Sequence, residues 1–233
     1  MFSNFDVGFL IIWFVSLLFS LSFHEAAHAW TSEKFGDDTG RLQGRITLNP
    51  LPHIDPLGTI IFPLISAITS IPLLGWAKPV ETNPLLWRNK TKANISVSAA
   101  GPISNFILAI ISFAILAVLL SIGTFVFNDA FGGNIYKVFG AAPGQPAFME
   151  PIGRLLNIML VLNLSLGFFN LLPIPPLDGS HVLESLLPYQ MAEAFAQIRP
   201  YGIFLLLALM YLGVLAFITT PIIYVLRFLL TLT

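Results

Sequence analysis

Five stretches of the chain carry no Asp, Glu, Lys or Arg: residues 7–23, 56–77, 93–128, 155–177 and 200–226. A helix needs roughly 20 apolar residues to cross a hydrocarbon layer about 30 Å thick. Four of the stretches reach that length, and the first reaches it if extended through His24–His28. The pattern predicts firm helical spans at about 8–31, 98–124 and 154–172. Pro173, Pro175 and Pro176 stop the third, because proline lacks the N–H donor and clashes inside a helix. The region 200–231 reads as one long helix or two short ones, broken at Pro221. Residues 56–77 are apolar yet interrupted by Pro56, Pro63, Pro72 and Gly75. Residues 32–55 and 129–153, with their Gly, Pro and polar residues, read as connecting segments. The expected fold is an all-α polytopic membrane protein, with 1–233 forming a single integral membrane domain.

Composition agrees: 56% of the residues are hydrophobic and 10% are charged, whereas soluble domains carry about a quarter charged. The first apolar run starts on Asp6 and has no small-residue cleavage site, so it reads as a retained span rather than a signal peptide. The near-zero net charge gives no reason to expect a nucleic-acid partner. Seven of the eleven Lys and Arg residues lie between Lys34 and Lys92. The positive-inside rule then places 32–95 in the cytoplasm and the N-terminus outside. A full crossing by 56–77 would split those charges between the two faces, so this run is expected to be re-entrant or shallow.

The chain has no Cys, so a metal would be held by His, Asp or Glu. Phe23-His24-Glu25-Ala26-Ala27-His28 falls at the end of the first span. Positions i and i+4 share a helix face, so both imidazoles can reach one ion with Glu25 beside it, the HExxH arrangement of zinc hydrolases. Ionisable groups inside a membrane span are costly and functional by default. From Val7 to His24 the helix rises roughly 25 Å, which puts the metal toward the cytoplasmic face. Asp178, His181, His53 and Asp55 are candidates for a third ligand. Asp178 follows the third span directly, arrives at the same face as His28, and has no basic residue near it in sequence. It is the expected ligand.

With these residues in place, the chain resembles the site-2 protease family of intramembrane zinc metalloproteases. HEAAH on the first span and Asn170-Leu-Leu-Pro-Ile-Pro-Pro-Leu-Asp178-Gly179 carry the resemblance, with Gly101-Pro102-Ile103-Ser104-Asn105 in the central span. Segments 49–58 and 75–80 are similar to the short bacterial branch that lacks a PDZ domain, which implies a bacterial inner membrane. The resemblance implies zinc on His24, His28 and Asp178, and Glu25 as the general base. It also implies a three-helix catalytic core in which the first two spans run antiparallel, and a transmembrane helix of another protein as substrate. Asn170 or His53 could steady the oxyanion, although capping or structural hydrogen bonds suit either residue equally well. His181 is left outside the metal set. The Pro-interrupted stretch 45–83 could offer an extended edge to an unwound substrate. A membrane zinc transporter would spread ionisable groups along a path, and an inactive scaffold would have lost Glu25 or a ligand. A zinc hydrolase acting on soluble substrates at the membrane stays open on residues alone.

Overall fold

The structure is a computed structural model that describes residues 6–69, 75–127 and 139–213, together with Tyr224 and Phe228. Helix α1 (Val7–Lys34) starts on Asp6, whose carboxylate accepts the Phe9 N–H at 2.9 Å. A short α2 (Thr39–Leu42) follows, then a 3-10 turn (Leu51–His53) and a π-helical turn (Pro56–Ile61) that runs into α3 (Phe62–Thr69). The long α4 (Lys90–Ser121) leads to strand β1 (Phe125–Phe127), which pairs antiparallel with β2 (Phe139–Ala141). Helices α5 (Met149–Asn170), α6 (Asp178–Leu186), α7 (Tyr189–Ala196) and α8 (Gly202–Tyr211) complete the described chain. Among the described residues, four segments are long and apolar enough to cross a membrane: Val7–Lys34, Lys90–Ser121, Met149–Asn170 and Tyr189–Leu209. This is an all-α polytopic membrane protein with a small two-stranded ribbon.

Several boundaries differ from expectation. Helix α4 begins eight residues before the expected Ser98, because the Asn89 side chain caps it by accepting the Lys92 N–H at 3.0 Å. The basic stretch therefore forms the first turn of a span, with its charges at the polar end. Helix α5 likewise starts at Met149 rather than 154, and β2 lies within the expected loop 129–153. Pro221 and most of the region beyond residue 213 lie outside the described residues.

Helix α4 is central and packs against α1, α5 and α6. Its neighbours present small or polar side chains, as suits membrane helices that must approach closely without a hydrophobic driving force. On α1 the buried row Ser16, Ser20, His24 and Ser32 recurs at multiples of four, with Ala29 fully buried beside it. The hydroxyls of Ser16 and Ser22 bond back to the Ile12 and Leu18 carbonyls, so neither donor is left open in hydrocarbon.

The register fixes the directions. His28 meets Val97, while His24 and Ser20 meet Asn105, so α1 and α4 are antiparallel. Asn105 meets Asn163 and Phe125 packs on Gly153, so α5 is antiparallel to α4 and parallel to α1. The Arg88 N–H donates to Phe35 C=O at 3.0 Å. The chain therefore leaves α1 and enters α4 at one end of the bundle, and residues 36–87 form an excursion from that end.

A buried carboxylate staples this excursion. Asp37 accepts Ser32 Oγ at 2.7 Å, Thr39 Oγ1 at 2.5 Å and the Asn83 N–H at 2.8 Å. Trp87 Nε1 donates to Ser32 Oγ at 2.7 Å. Burial alone would raise the Asp37 carboxyl, but hydrogen bonds from Thr39, the Asn83 amide and Ser32 hold it below the usual carboxylate range.

Candidate metal centre

His24 and His28 lie one turn apart on α1, and Asp178 opens α6. Their ligand atoms come together: His24 Nε2 and His28 Nε2 are 3.0 Å apart, and Asp178 Oδ2 is 3.2 Å and 3.5 Å from them. Each imidazole is held from behind. His24 Nδ1 lies 2.6 Å from Asn105 Oδ1, and His28 Nδ1 lies 2.7 Å from the Val97 carbonyl. A carbonyl oxygen only accepts, so both Nδ1 atoms carry the proton and both Nε2 atoms present lone pairs. Asp178 Oδ2 is buried and has no hydrogen-bond partner.

Three electron-pair donors thus face one another with no proton between them, which would be strongly repulsive without a cation. Zinc at its usual distance of about 2.0–2.1 Å from N and O ligands would space tetrahedral donors about 3.3 Å apart, close to the three separations found. The residues present therefore fit a small divalent metal. Among the described residues, this is the group of three His, Asp or Glu side chains arranged to hold one.

Two glycines make the geometry possible by close approach. A Cβ on Gly101 would fall within 2.5 Å of His24 Cε1 and Nε2, and closer still to His28 Nε2. The imidazoles therefore lie directly on the α4 backbone. A Cβ on Gly179 would collide with the Leu171 carbonyl and sit 2.6 Å from that of Leu172. Gly179 is needed for this packing of α6 on the end of α5, within regular helix. Asn94 pins α6 to α4 by donating to Ser185 Oγ at 2.7 Å, which helps hold Asp178 in place.

The other sequence candidates separate in space. Glu25 faces the same cavity of about 1460 Å³ as the cluster, and its Oε2 accepts the Val80 N–H at 2.9 Å. Asn170 lines this cavity too, with its amide nitrogen bonded to the Leu166 carbonyl at 3.0 Å. His53 is buried away from the cavity lining, and its Nε2 lies 3.0 Å from the Thr47 carbonyl. Burial holds the His53 imidazole below its ordinary pKa, reinforced by the nearby Arg45 charge. Asp55 caps the π-helical turn by accepting the Leu57 and Gly58 N–H groups. His181 lines the cavity without joining the cluster.

Residues 76–80 form one wall. Trp76 N–H donates to Gly58 C=O at 3.2 Å, Lys78 N–H to His53 C=O at 2.9 Å, and Val80 N–H to Glu25. The carbonyls of Trp76 and Lys78 accept from Thr59 Oγ1 and the Arg45 guanidinium. Backbone groups alternate in direction along an extended chain, so those of Ala77 and the carbonyl of Pro79 face the other edge. They have no hydrogen bond among the described residues, and both residues line the cavity.

Sequence reading missed the support behind His24. Asn105 Nδ2 donates to Asn163 Oδ1 at 2.9 Å, and Asn163 Nδ2 donates to Ser20 Oγ and to Met159 C=O, each at 2.9 Å. Asn163 in the middle of an uncharged span was the available signal, since polar side chains at that depth need partners.

Fold and site together define an integral membrane protein with a His, His and Asp cluster between its helices whose chemistry fits a metal, next to the half-buried Glu25 carboxylate and a large cavity. The family model described as Peptidase family M50 matches residues 12–212. The Bacillus subtilis (strain 168) protein named "Putative zinc metalloprotease YwhC" is 37% identical over 195 residues, which cover 84% of this chain and 78% of the relative. The Mycolicibacterium smegmatis protein named "Putative zinc metalloprotease Rip2" is 31% identical, over 88% of this chain and 68% of its own. Its namesake in Mycobacterium tuberculosis (strain H37Rv) is 30% identical, over 87% and 67%. No solved structure matches the chain significantly. The chain belongs to peptidase family M50, the site-2 proteases. It is a zinc-dependent metallopeptidase of the membrane.

Proposed function

We propose that His24, His28 and Asp178 hold the zinc, that Glu25 is the general base, and that the enzyme hydrolyses peptide bonds within transmembrane segments of other proteins. The convergence of three lone-pair donors, with an orphaned Asp178 Oδ2 among them, carries the reading. Bound zinc supplies Lewis acidity at the scissile carbonyl and lowers the pKa of a water toward neutrality. Glu25 sits next to His24, and with Oε2 held by the Val80 N–H its Oε1 is left to take the water proton and return it to the leaving amine. Asn170 lies on the cavity wall, where its amide can turn toward the developing oxyanion.

A substrate helix hides its peptide groups in its own hydrogen bonds and must unwind to be cut. The open edge at Ala77 and Pro79 suits an unwound strand, which would gain backbone hydrogen bonds there in place of those it lost. The seven cations from Lys34 to Lys92 run from the last residue of α1, through the excursion, to the first turn of α4. The end where the excursion begins and closes faces the cytoplasm by the positive-inside rule, with the N-terminus outside in the cell membrane.

The test is Glu25→Gln in purified protein. The amide keeps size and polarity but cannot accept the proton, so zinc content should hold. Cleavage of a model transmembrane peptide should fall about 10²–10⁴-fold. Activity within a few-fold of wild type would remove Glu25 from the base role.

A further inference from the structure

We propose that Asn163 is a positioning residue for the metal centre, acting through Asn105 to set which nitrogen of His24 carries the proton. The inference rests on the reading of His24 as a zinc ligand. Ser20, Asn105 and Asn163 are fully buried between α1, α4 and α5, and His24 is nearly so. Their hydrogen bonds run in one direction. His24 Nδ1–H donates to Asn105 Oδ1 at 2.6 Å, Asn105 Nδ2 to Asn163 Oδ1 at 2.9 Å, and Asn163 Nδ2 to the Met159 carbonyl at 2.9 Å.

The last acceptor is a backbone carbonyl, which cannot donate. That fixes the Asn163 amide with its oxygen toward Asn105. A flipped Asn105 would then set its Oδ1 against Asn163 Oδ1, two acceptors face to face, and leave a buried donor pointing at His24. Asn105 is therefore held with its oxygen toward His24, and the imidazole has to protonate at Nδ1. Its Nε2 lone pair is left facing His28 and Asp178. The direction of hydrogen bonding, set by a main-chain carbonyl on α5, is passed through two amides to a ligand atom on α1. Ser20 Oγ, 2.9 Å from Asn163 Nδ2, can accept or donate and so follows the direction without setting it.

Helix adhesion alone would also be served by a buried Asn pair, so the experiment reads the tautomer. Histidine labelled with ¹⁵N in the metal-free wild-type protein, at a pH where the imidazole is neutral, should show His24 as the Nδ1–H form. Asn163→Leu removes the shorter of the two acceptors on Asn105 Nδ2, leaving only the Ser20 carbonyl at 3.5 Å. With its orientation so weakened, Asn105 can turn, and His24 should shift toward the Nε2–H form. Zinc affinity, measured by chelator competition, should fall roughly 10- to 100-fold. Asn163→Asp keeps an acceptor toward Asn105 and should restore both the tautomer and most of the affinity. An Nε2–H tautomer in the wild type would overturn the proposal. So would a folded Asn163→Leu protein with unchanged tautomer and affinity. If the Leu variant fails to fold, the wild-type tautomer and the Asp variant decide the matter. Full zinc retention in His24→Ala would instead refute the ligand reading, and the tautomer result would stand apart from it.

Discussion

Gly101→Ala adds one methyl group where the two imidazoles rest on α4. The new carbon would lie within 2.5 Å of His24 Cε1 and Nε2, and nearer to His28 Nε2. Non-bonded heavy atoms settle near 3.5 Å, so about 1 Å of retreat is required. The rings cannot swing away cheaply, because Asn105 and the Val97 carbonyl hold their Nδ1 atoms at 2.6 Å and 2.7 Å. Overpacking of this kind costs about 1–3 kcal/mol. Metal ligands tolerate errors of only about 0.2 Å in bond length, so the strain falls on the geometry the ion needs. At 1.4 kcal/mol per factor of ten, zinc affinity should drop roughly 5- to 150-fold. Competition against a chelator of known affinity, in detergent, measures this directly, and a melting curve of the metal-free protein reports the cost to packing. Wild-type zinc affinity in a folded Gly101→Ala protein would show that the imidazoles do not rest on α4 as described.

Purified wild type should hold about one zinc per chain, and His24→Ala, His28→Ala or Asp178→Ala should each lose most of it by elemental analysis. Full retention in Asp178→Ala would move the third ligand elsewhere. Because the chain has no Cys, single cysteines report topology cleanly. Asp38→Cys and Lys90→Cys should react only with a thiol reagent that reaches the cytoplasm, and Gly133→Cys should react from outside. Labelling of positions 38 and 90 from opposite faces would make 56–77 a true span. Asp37, held below its unfolded pKa near 3.9 by its hydrogen bonds, contributes stability that is present above that pH. This contribution is lost as pH falls through the lower folded value. Asp37→Asn should therefore melt earlier at neutral pH and show a shallower loss below about pH 4; parallel melting curves across pH would refute this.

How much of this was legible in sequence depends on the range of the forces involved. The spans could be read directly, because crossing hydrocarbon demands a run of apolar residues whatever those residues later touch. His24 and His28 could be paired from spacing alone, since one helical turn is a local property. Asp178 could be inferred from the side of the membrane on which its span must emerge. The start of α4 was misplaced because one side-chain bond, Asn89 to the Lys92 amide, extended the helix through a basic stretch. Only the packed structure could decide that His53 turns to the Thr47 carbonyl while Asp178 meets the histidines, since both are polar residues near prolines in sequence. It alone brought Val80, 55 residues along the chain, onto Glu25. It also gave the chain from Met159 through Asn163 and Asn105 to His24 its direction. Hydrophobicity and helical period are written residue by residue, whereas hydrogen-bond partners across helices are chosen by the few ångströms between them, and that distance exists only after packing.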